Sequence, residues 1–266
     1  IGSEPGRIID PTAFSVAPDG TFVVADAPNG RERIQIFSPV GFRIGGFLLP
    51  GRLRPRVTLD HLVLGGIGSL LYTGRSILIS QPDTGAVISE YTLSGAVNRL
   101  IGTLRDTGHE DDPEVHLALN AGLPLVDPRG GFYLVFQTGK PMIRKYDRTG
   151  QLEFERLIQG REIDEFVAKL PTTWPRRKTA DGEFAVVSPT VRTAAVDAMG
   201  RLWVSLVVPY TYVIDADGDK IGVVQFRGAG IISPMSLFFD PKGRLLVTPG
   251  LYEFPHWPTT ATRPDR

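Results

Sequence analysis

Residues 14–41 read FSVAPDGTFVVADAPNGRERIQIFSPVG, and this stretch decides the fold because it holds three short strands joined by tight turns. The first apolar run stops at Pro18-Asp19-Gly20, where Asp can bond its own backbone and Gly adopts positive φ freely. The run at 21–25 is β-branched and aromatic, as in a buried strand. The run at 33–37 alternates polar and apolar residues, which indicates a strand with one covered face. A fourth strand is predicted over residues 42–48.

The same plan recurs along the chain, and glycines mark it. The first turn of each repeat ends at Gly20, Gly74, Gly130, Gly200 and Gly243, and the later turn ends at Gly41, Gly95, Gly150 and Gly218. Within a repeat the two glycines lie 18–21 residues apart, whereas the distance between repeats varies. Four-stranded modules of about 40–50 residues are typical of a β-propeller. The sequence therefore predicts an all-β propeller in which the five first-turn glycines occupy equivalent hairpins.

Five modules are predicted, near residues 11–50, 60–105, 115–160, 190–228 and from 231 onward. The first strand of module two is assigned to residues 62–64, and module five is incomplete, with two strands. The modules make five blades, or six if the termini pair. Residues 7–9 are predicted either to close the ring as a strand or to form a loose arm. Residues 1–266 are accordingly predicted to form one β-propeller domain.

Residues 24–37, VADAPNGRERIQIF, resemble an NHL repeat, whose core reads V-x-D-x-x-N-x-R-I-x-V-F. Two extra residues precede Arg33-Ile34, and the other modules keep the glycine turns without this core. The resemblance implies the NHL-like, six-bladed propeller group. It also implies two enzymatic precedents: a lactonase type with a divalent metal held by Glu, Asn and Asp in the central channel, and a lyase type with several His around zinc.

Composition limits the class of protein. Lys+Arg and Asp+Glu are balanced at 29 each, which argues against a nucleic-acid partner. Cysteine is absent, so disulfides and thiolate metal sites are excluded. No apolar run approaches the roughly 20 residues that a membrane helix needs. The chain opens on Ile1 rather than Met, which predicts a processed, exported bacterial protein, periplasmic or secreted; a trimmed chain is the alternative.

Metal-binding candidates are few. Of four histidines, His61 and His116 are predicted to stand near the start of an innermost strand. Two histidines are too few for a catalytic zinc site, which needs three protein ligands. The acidic loop holding Glu110, Asp111 and Asp112 lacks calcium-loop spacing, and the Asp-rich run at 215–219 is predicted to be a turn. The sequence therefore predicts no cofactor and no catalytic residue. The alternative is a metal-dependent small-molecule hydrolase or lyase of the lactonase-like type.

The loops carry the distinctive residues, and the largest departure from the repeat is residues 160–189. A short helix is predicted near 162–170, where Ile163, Phe166, Val167 and Leu170 share one face and Pro171 stops it. Inserted loops on a rigid scaffold often carry function, although such a helix can also simply cover one end of the ring. Arg, Trp and Tyr often anchor interfaces. The predicted partner-binding residues are Arg52, Arg54, Arg56, Trp174, Arg176, Arg177, Tyr252, Phe254 and Trp257. They favour a non-catalytic scaffold that binds other protein subunits, as an accessory subunit of a larger, extracytoplasmic or membrane-associated assembly.

Overall fold

The computed structural model describes residues 1–27, 31–49, 56–59, 62–65, 69–179, 182–226, 234–240, 242–249 and 252–254. It divides into two units, of which the first holds residues 1–124 and 172–188 and the second holds residues 125–171 and 189–266.

Antiparallel sheets dominate the first part of the chain. In chain order the elements are blade one, a separate hairpin, blade two and a helix: β1 (Ala13–Val16), β2 (Phe22–Asp26), β3 (Arg33–Phe37) and β4 (Arg43–Leu48); β5 (Arg56–Leu59) and β6 (Leu62–Gly65); β7 (Leu70–Tyr72), β8 (Ile77–Ile79), β9 (Ala86–Tyr91) and β10 (Val97–Thr103); α1 (Pro113–Leu119). A 3₁₀ turn at Pro82–Thr84 joins β8 to β9.

The later elements repeat this arrangement. Blade three, a helix, a second hairpin, blade four and blade five follow: β11 (Gly122–Val126), β12 (Phe132–Phe136), β13 (Met142–Tyr146) and β14 (Leu152–Leu157); α2 (Arg161–Ala168); β15 (Arg176–Thr179) and β16 (Gly182–Ala185); β17 (Val191–Val196), β18 (Leu202–Leu206), β19 (Thr211–Ile214) and β20 (Lys220–Val224); β21 (Ser236–Phe239), β22 (Leu245–Thr248) and β23 (Tyr252–Phe254). Consecutive strands pair within each blade, so the fold is an all-β, five-bladed β-propeller.

The glycine turns confirm the predicted repeat. All five first-turn glycines have positive φ, between 76° and 112°, and each joins the first two strands of its blade. The later-turn glycines have φ of 87–90° and join the third strand to the fourth. The Asp-rich run at 215–219 is such a turn, because the Asp215 carboxylate accepts from the amides of Asp217 and Asp219 at 3.0 and 2.9 Å.

Three elements differ from the sequence prediction. Residues 62–64 belong to the separate β5–β6 hairpin, and blade two begins instead at Leu70; an apolar triplet cannot by itself show which sheet it joins. The start of module three, predicted near residue 115, lies instead in helix α1, and the first strand of that module begins only at Gly122. Blade five gains a third strand, β23, from residues expected to be an aromatic tail.

Each unit has its own apolar core. In the first, Ile34 and Ile36 of blade one pack with Ile77 and Ile79 of blade two. In the second, Trp203 of blade four packs in a cluster that includes Leu237, Leu245 and Val247 of blade five. Burying each of these aliphatic side chains contributes about 1.5–3 kcal/mol. The cores therefore hold neighbouring blades of one unit face to face.

The N-terminal arm, residues 1–10, forms no strand, so the predicted closing strand is wrong. A loose arm is wrong as well, because side chains of blade one bind the arm's main chain. The Gly6 amide donates to Gln35 Oε1 at 2.8 Å, and the Arg7 carbonyl accepts from Gln35 Nε2 at 2.7 Å. The arm is thus fixed by hydrogen bonds rather than by strand pairing.

Helix α2 confirms the helix predicted near 162–170, although it ends two residues earlier. Its Ile163 is fully buried. Glu162 accepts from the Tyr212 hydroxyl at 2.6 Å, and Lys220 lies over the Tyr212 ring at 4.3 Å. The helix is therefore fastened to blade four. Neither α2 nor the other described helix is long and apolar enough to cross a membrane.

Gly131, in the turn before β12, gives the first testable prediction. Its φ is +93°, and a Cβ there would overlap the Tyr146 carbonyl oxygen. We expect Gly131→Ala to lower the free energy of unfolding by about 2–3 kcal/mol, measured by chemical denaturation. Gly182→Ala is the matched control, because Gly182 also has positive φ, +119°, but a Cβ there would meet nothing within 4 Å. We expect the control to lose about 1 kcal/mol; equal losses would contradict the prediction.

Candidate functional site

Helix α1 begins at a strong local signal. Asp112 caps its N-terminus by accepting from the Val115 amide at 3.3 Å, and Pro113 occupies the first turn, where its missing N–H costs nothing. Val115, Leu117, Ala118 and Leu119 are buried. At the other end, Asn120 accepts from the Arg105 amide at 2.8 Å. The helix is therefore held at both ends, and its backbone lies beside β5 and β16.

Arg176 fastens the β15–β16 hairpin to α1. Its Nη2 lies 2.6 Å from Asp112 Oδ2, and its Nη1 lies 3.3 Å from Glu114 Oε2. The same Glu114 oxygen accepts from the Ala185 amide at 3.0 Å. The predicted partner-binding residue Arg176 is thus occupied within the chain, by acceptors more than 60 positions away that the sequence did not associate with it.

The carboxylates of Asp112 and Glu110 are each held by hydrogen-bond donors of this same region. Burial works to raise the pKa of Asp112, but the hydrogen bond and charge of Arg176 together with the amides of Val115 and Glu114 outweigh it, so the pKa lies below its ordinary value. The pKa of Glu110 falls to about 2, first because its carboxylate accepts from the Thr107 amide at 2.7 Å. Both carboxylates are therefore ionised at neutral pH and already used by the loop and the helix.

Glu110 supplies a prediction for pH dependence. Its folded pKa, about 2, lies below the ordinary 4.5. Its contribution to stability is therefore fully present above pH 4.5 and is lost as the pH falls through about 2. We expect carbon-detected NMR to show the Glu110 carboxyl titrating near pH 2, well below the ordinary 4.5. A Glu110 midpoint above pH 4 would contradict the loop geometry.

Trp174 requires a correction. The sequence placed it among exposed partner anchors, but it is only 8% exposed. Its Nε1 is buried and finds no hydrogen-bond partner among the described residues. Trp174 is therefore a buried side chain in the segment that precedes β15, not an exposed anchor.

The metal candidates do not converge. His116 lies on α1, not at the start of an innermost strand, and its Nδ1 lies 2.8 Å from the Thr107 hydroxyl. Glu110 and Asp112 make the contacts given above, and Asp111 is exposed. Among the described residues no three His, Asp or Glu side chains are grouped so that they could hold a metal ion. His61 lies outside the described residues.

The remaining predicted partner residues are scattered. Arg52, Arg54 and Trp257 lie outside the described residues, and Arg56 begins β5. Tyr252 is 39% exposed on β23, whereas Phe254 packs against the Phe226 ring at a centroid distance of 5.2 Å. Phe254 is thus a packing residue of blade five. Arg177 is exposed on β15, next to exposed Lys178.

We call the exposed sides of residues 107–112, α1 and the β15–β16 hairpin the insertion surface. The loop presents the carboxylate of Asp111 and the hairpin presents the cations Arg177 and Lys178. Lys178 stands opposite Glu183 in the hairpin register, whereas Arg177 stands opposite buried Phe184. The surface is therefore a platform fixed by ion pairs that carries exposed charges of both signs.

No protein-family model matches the chain, and no curated protein matches it. Solved structures do match. The β-propeller domain of Cps50 (Swd1) from Myceliophteria thermophila has a TM-score of 0.52 at 15% identity, covering 91% of this chain and 62% of that one. A protein of unknown function from Bacteroides caccae has a TM-score of 0.51 at 11% identity, covering 89% and 69%.

The extracellular domain of a putative hybrid two-component system from B. thetaiotaomicron is a third similar structure. Its TM-score is 0.50 at 14% identity, and the match covers 96% of this chain and 28% of that one. This chain thus spans between 28% and 69% of the lengths of these three neighbours. At such low identities the likeness shows the fold alone, and that fold is the five-bladed β-propeller.

Proposed function

We propose that this chain is a non-catalytic scaffold whose insertion surface binds another protein subunit. One observation carries the proposal: Arg176 locks the β15–β16 hairpin onto α1 through Asp112 and Glu114, while neighbouring Arg177 and Lys178 stay exposed. A locked platform loses little conformational entropy on binding, so its exposed groups are ready for a partner.

The proposal extends to the setting of the protein. We take residues 1–266 as one propeller domain that serves as an accessory subunit of an extracytoplasmic or membrane-associated assembly in a bacterium, without nucleic acid. The extracellular neighbour described above supports the location. We also assign blade one to the NHL type, because the motif's Asp26 and Arg33 form an ion pair with a nitrogen–oxygen distance of 2.6 Å.

The partner's chemistry follows from the exposed charges. Arg177 and Lys178 are consecutive on β15, so their side chains leave opposite faces of the hairpin, and exposed arginine is a frequent interface anchor. A partner that docks here is expected to place carboxylates opposite them. Cross-interface charge pairs mainly set specificity and association rate, so binding should weaken as salt rises.

Reversing these charges tests the proposal. We expect Arg177→Glu with Lys178→Glu to weaken binding of the partner purified with the native protein by about 2 kcal/mol or more, measured by calorimetric titration. The melting temperature should stay unchanged, because both side chains are exposed. Lys242→Glu, an equally exposed charge in a blade-five turn, is the matched control and should bind normally. Equal binding by all three proteins would overturn the proposal.

A further inference from the structure

Three polar side chains are buried at one end of blade one. Asp26 ends β2 and is 1% exposed, Arg33 begins β3 and is 8% exposed, and Gln35 is 0% exposed. Arg33 Nε and Nη2 donate to the two Asp26 oxygens at 2.8 and 2.6 Å, and Gln35 Nε2 lies 3.3 Å from Asp26 Oδ2. The three form one fixed array of donors and acceptors.

This array binds the main chain of the arm. Arg33 donates to the Ser3 carbonyl at 2.6 Å and to the Arg7 carbonyl at 3.0 Å. Gln35 binds two neighbouring backbone groups of the arm: it donates to the Arg7 carbonyl and accepts from the Gly6 amide. Asp26 accepts from the Ile9 amide at 3.2 Å. Five hydrogen bonds therefore join the array to two carbonyls, those of Ser3 and Arg7, and to two amides, those of Gly6 and Ile9.

The side chains of the arm take little part in its binding to Asp26, Arg33 and Gln35. The side chains of Arg7 and Glu4 are 64% and 66% exposed and lie 3.8 Å from each other. The residue type does matter at Gly6, because its φ of +87° is one that other residues rarely adopt. The array thus recognises backbone shape and a glycine rather than a particular set of side chains.

We propose that Asp26, Arg33 and Gln35 form a peptide-binding site that the arm occupies in the free protein. The ligand class is a short segment of another protein with a glycine at the position of Gly6 and the same turn of backbone. Such a segment would replace the arm and take over the five hydrogen bonds. A buried ion pair often adds no net stability over an apolar core, which fits a recognition role. This proposal does not rest on the insertion surface.

The arm is covalently linked to blade one, and this link determines when another peptide can enter the site. A segment on a short linker has an effective concentration in the millimolar range, so a free peptide at micromolar concentration cannot displace the arm. A substitution that breaks the arm's own fit should therefore unmask the site. Gly6→Pro does so, because proline has no N–H to donate to Gln35 and cannot adopt positive φ.

The probe is a fluorescein-labelled synthetic peptide with the sequence of residues 1–10, IGSEPGRIID, and the readout is fluorescence anisotropy against the full chain. We expect Gly6→Pro protein to bind this peptide at least tenfold more tightly than the wild type. Arg7→Ala, which keeps the backbone groups of the arm, should behave as the wild type. Adding Gln35→Leu to Gly6→Pro should weaken binding at least tenfold, and a peptide with proline in place of its glycine should not bind.

Equal binding to wild-type and Gly6→Pro proteins, or no binding to either, would overturn the proposal and leave the arm as a structural strap. Should Gly6→Pro fail to fold, hydrogen exchange in the wild type decides. Unlabelled peptide at several millimolar should speed exchange of the Gly6 and Ile9 amides several-fold, since displaced amides lose their acceptors. Unchanged exchange at that concentration would contradict the proposal.

Discussion

Asp26→Ala is expected to lower the free energy of unfolding by about 3–5 kcal/mol, because it leaves the buried guanidinium of Arg33 without its carboxylate. Asp26 holds both Nε and Nη2 of Arg33, and its hydrogen bond raises the Arg33 pKa above the ordinary value. Because an arginine guanidinium does not deprotonate near neutral pH, Arg33 keeps its charge when the carboxylate is removed. The loss is measured by urea denaturation monitored by tryptophan fluorescence.

Two controls separate this effect from a general weakness of blade one. Glu4→Ala removes the carboxylate of an exposed pair and should change stability by less than about 0.5 kcal/mol. The double change Asp26→Leu with Arg33→Met removes both buried charges and should recover much of the loss. If Asp26→Ala alone cost less than about 1 kcal/mol, the buried pair would not organise this end of the blade.

Trp174→Ala is expected to destabilise the protein by about 3–5 kcal/mol, as for other large-to-small changes in a packed interior. The ring is 8% exposed, so its removal leaves a cavity in the buried space that it fills. Trp174→Phe should cost far less, because the indole Nε1 has no described partner to lose. The free energies are measured by chemical denaturation.

Arg177→Ala is the matched control for Trp174, since it lies three residues further along the chain, on β15, and is exposed. It should change stability by no more than about 0.5 kcal/mol. The opposite pattern, in which Trp174→Ala keeps full stability and loses partner binding, would restore Trp174 as an interface anchor.

The strands of blade one were predictable because their signals are local. The alternation of residues 33–37 predicts a strand with one covered face; they form β3 with those bounds, but all five are buried, so the single covered face is wrong. Gly20 and Gly41 mark turns whose φ only glycine adopts easily. Helix α1 was missed although its signal was present. An Asp cap followed by Pro113 and Glu114 is a standard helix start, and the acidic run had been weighed only as a metal loop.

The contacts of the insertion surface could not be predicted, because they join residues that are far apart in the sequence. Arg176 meets Asp112 from 64 positions away, so nothing in the local pattern separates a clamped arginine from the exposed Arg177 beside it. Burial of Trp174 was not predictable either, because its own segment, Trp174-Pro175-Arg176-Arg177-Lys178, is charged and indicates an exposed loop. The contacts of Asp26 and Gln35 with the arm likewise join residues 17 to 29 positions apart.

Single-cysteine cross-linking tests the central claim, that the insertion surface is where a partner docks. The chain has no cysteine, so Lys178→Cys and Lys242→Cys each provide one attachment point for a short photo-activated cross-linker. In the native source, we expect position 178 to yield a covalent adduct with one partner protein, and position 242 to yield none. Adducts from position 242 with none from position 178 would contradict the account, as would the absence of adducts from both.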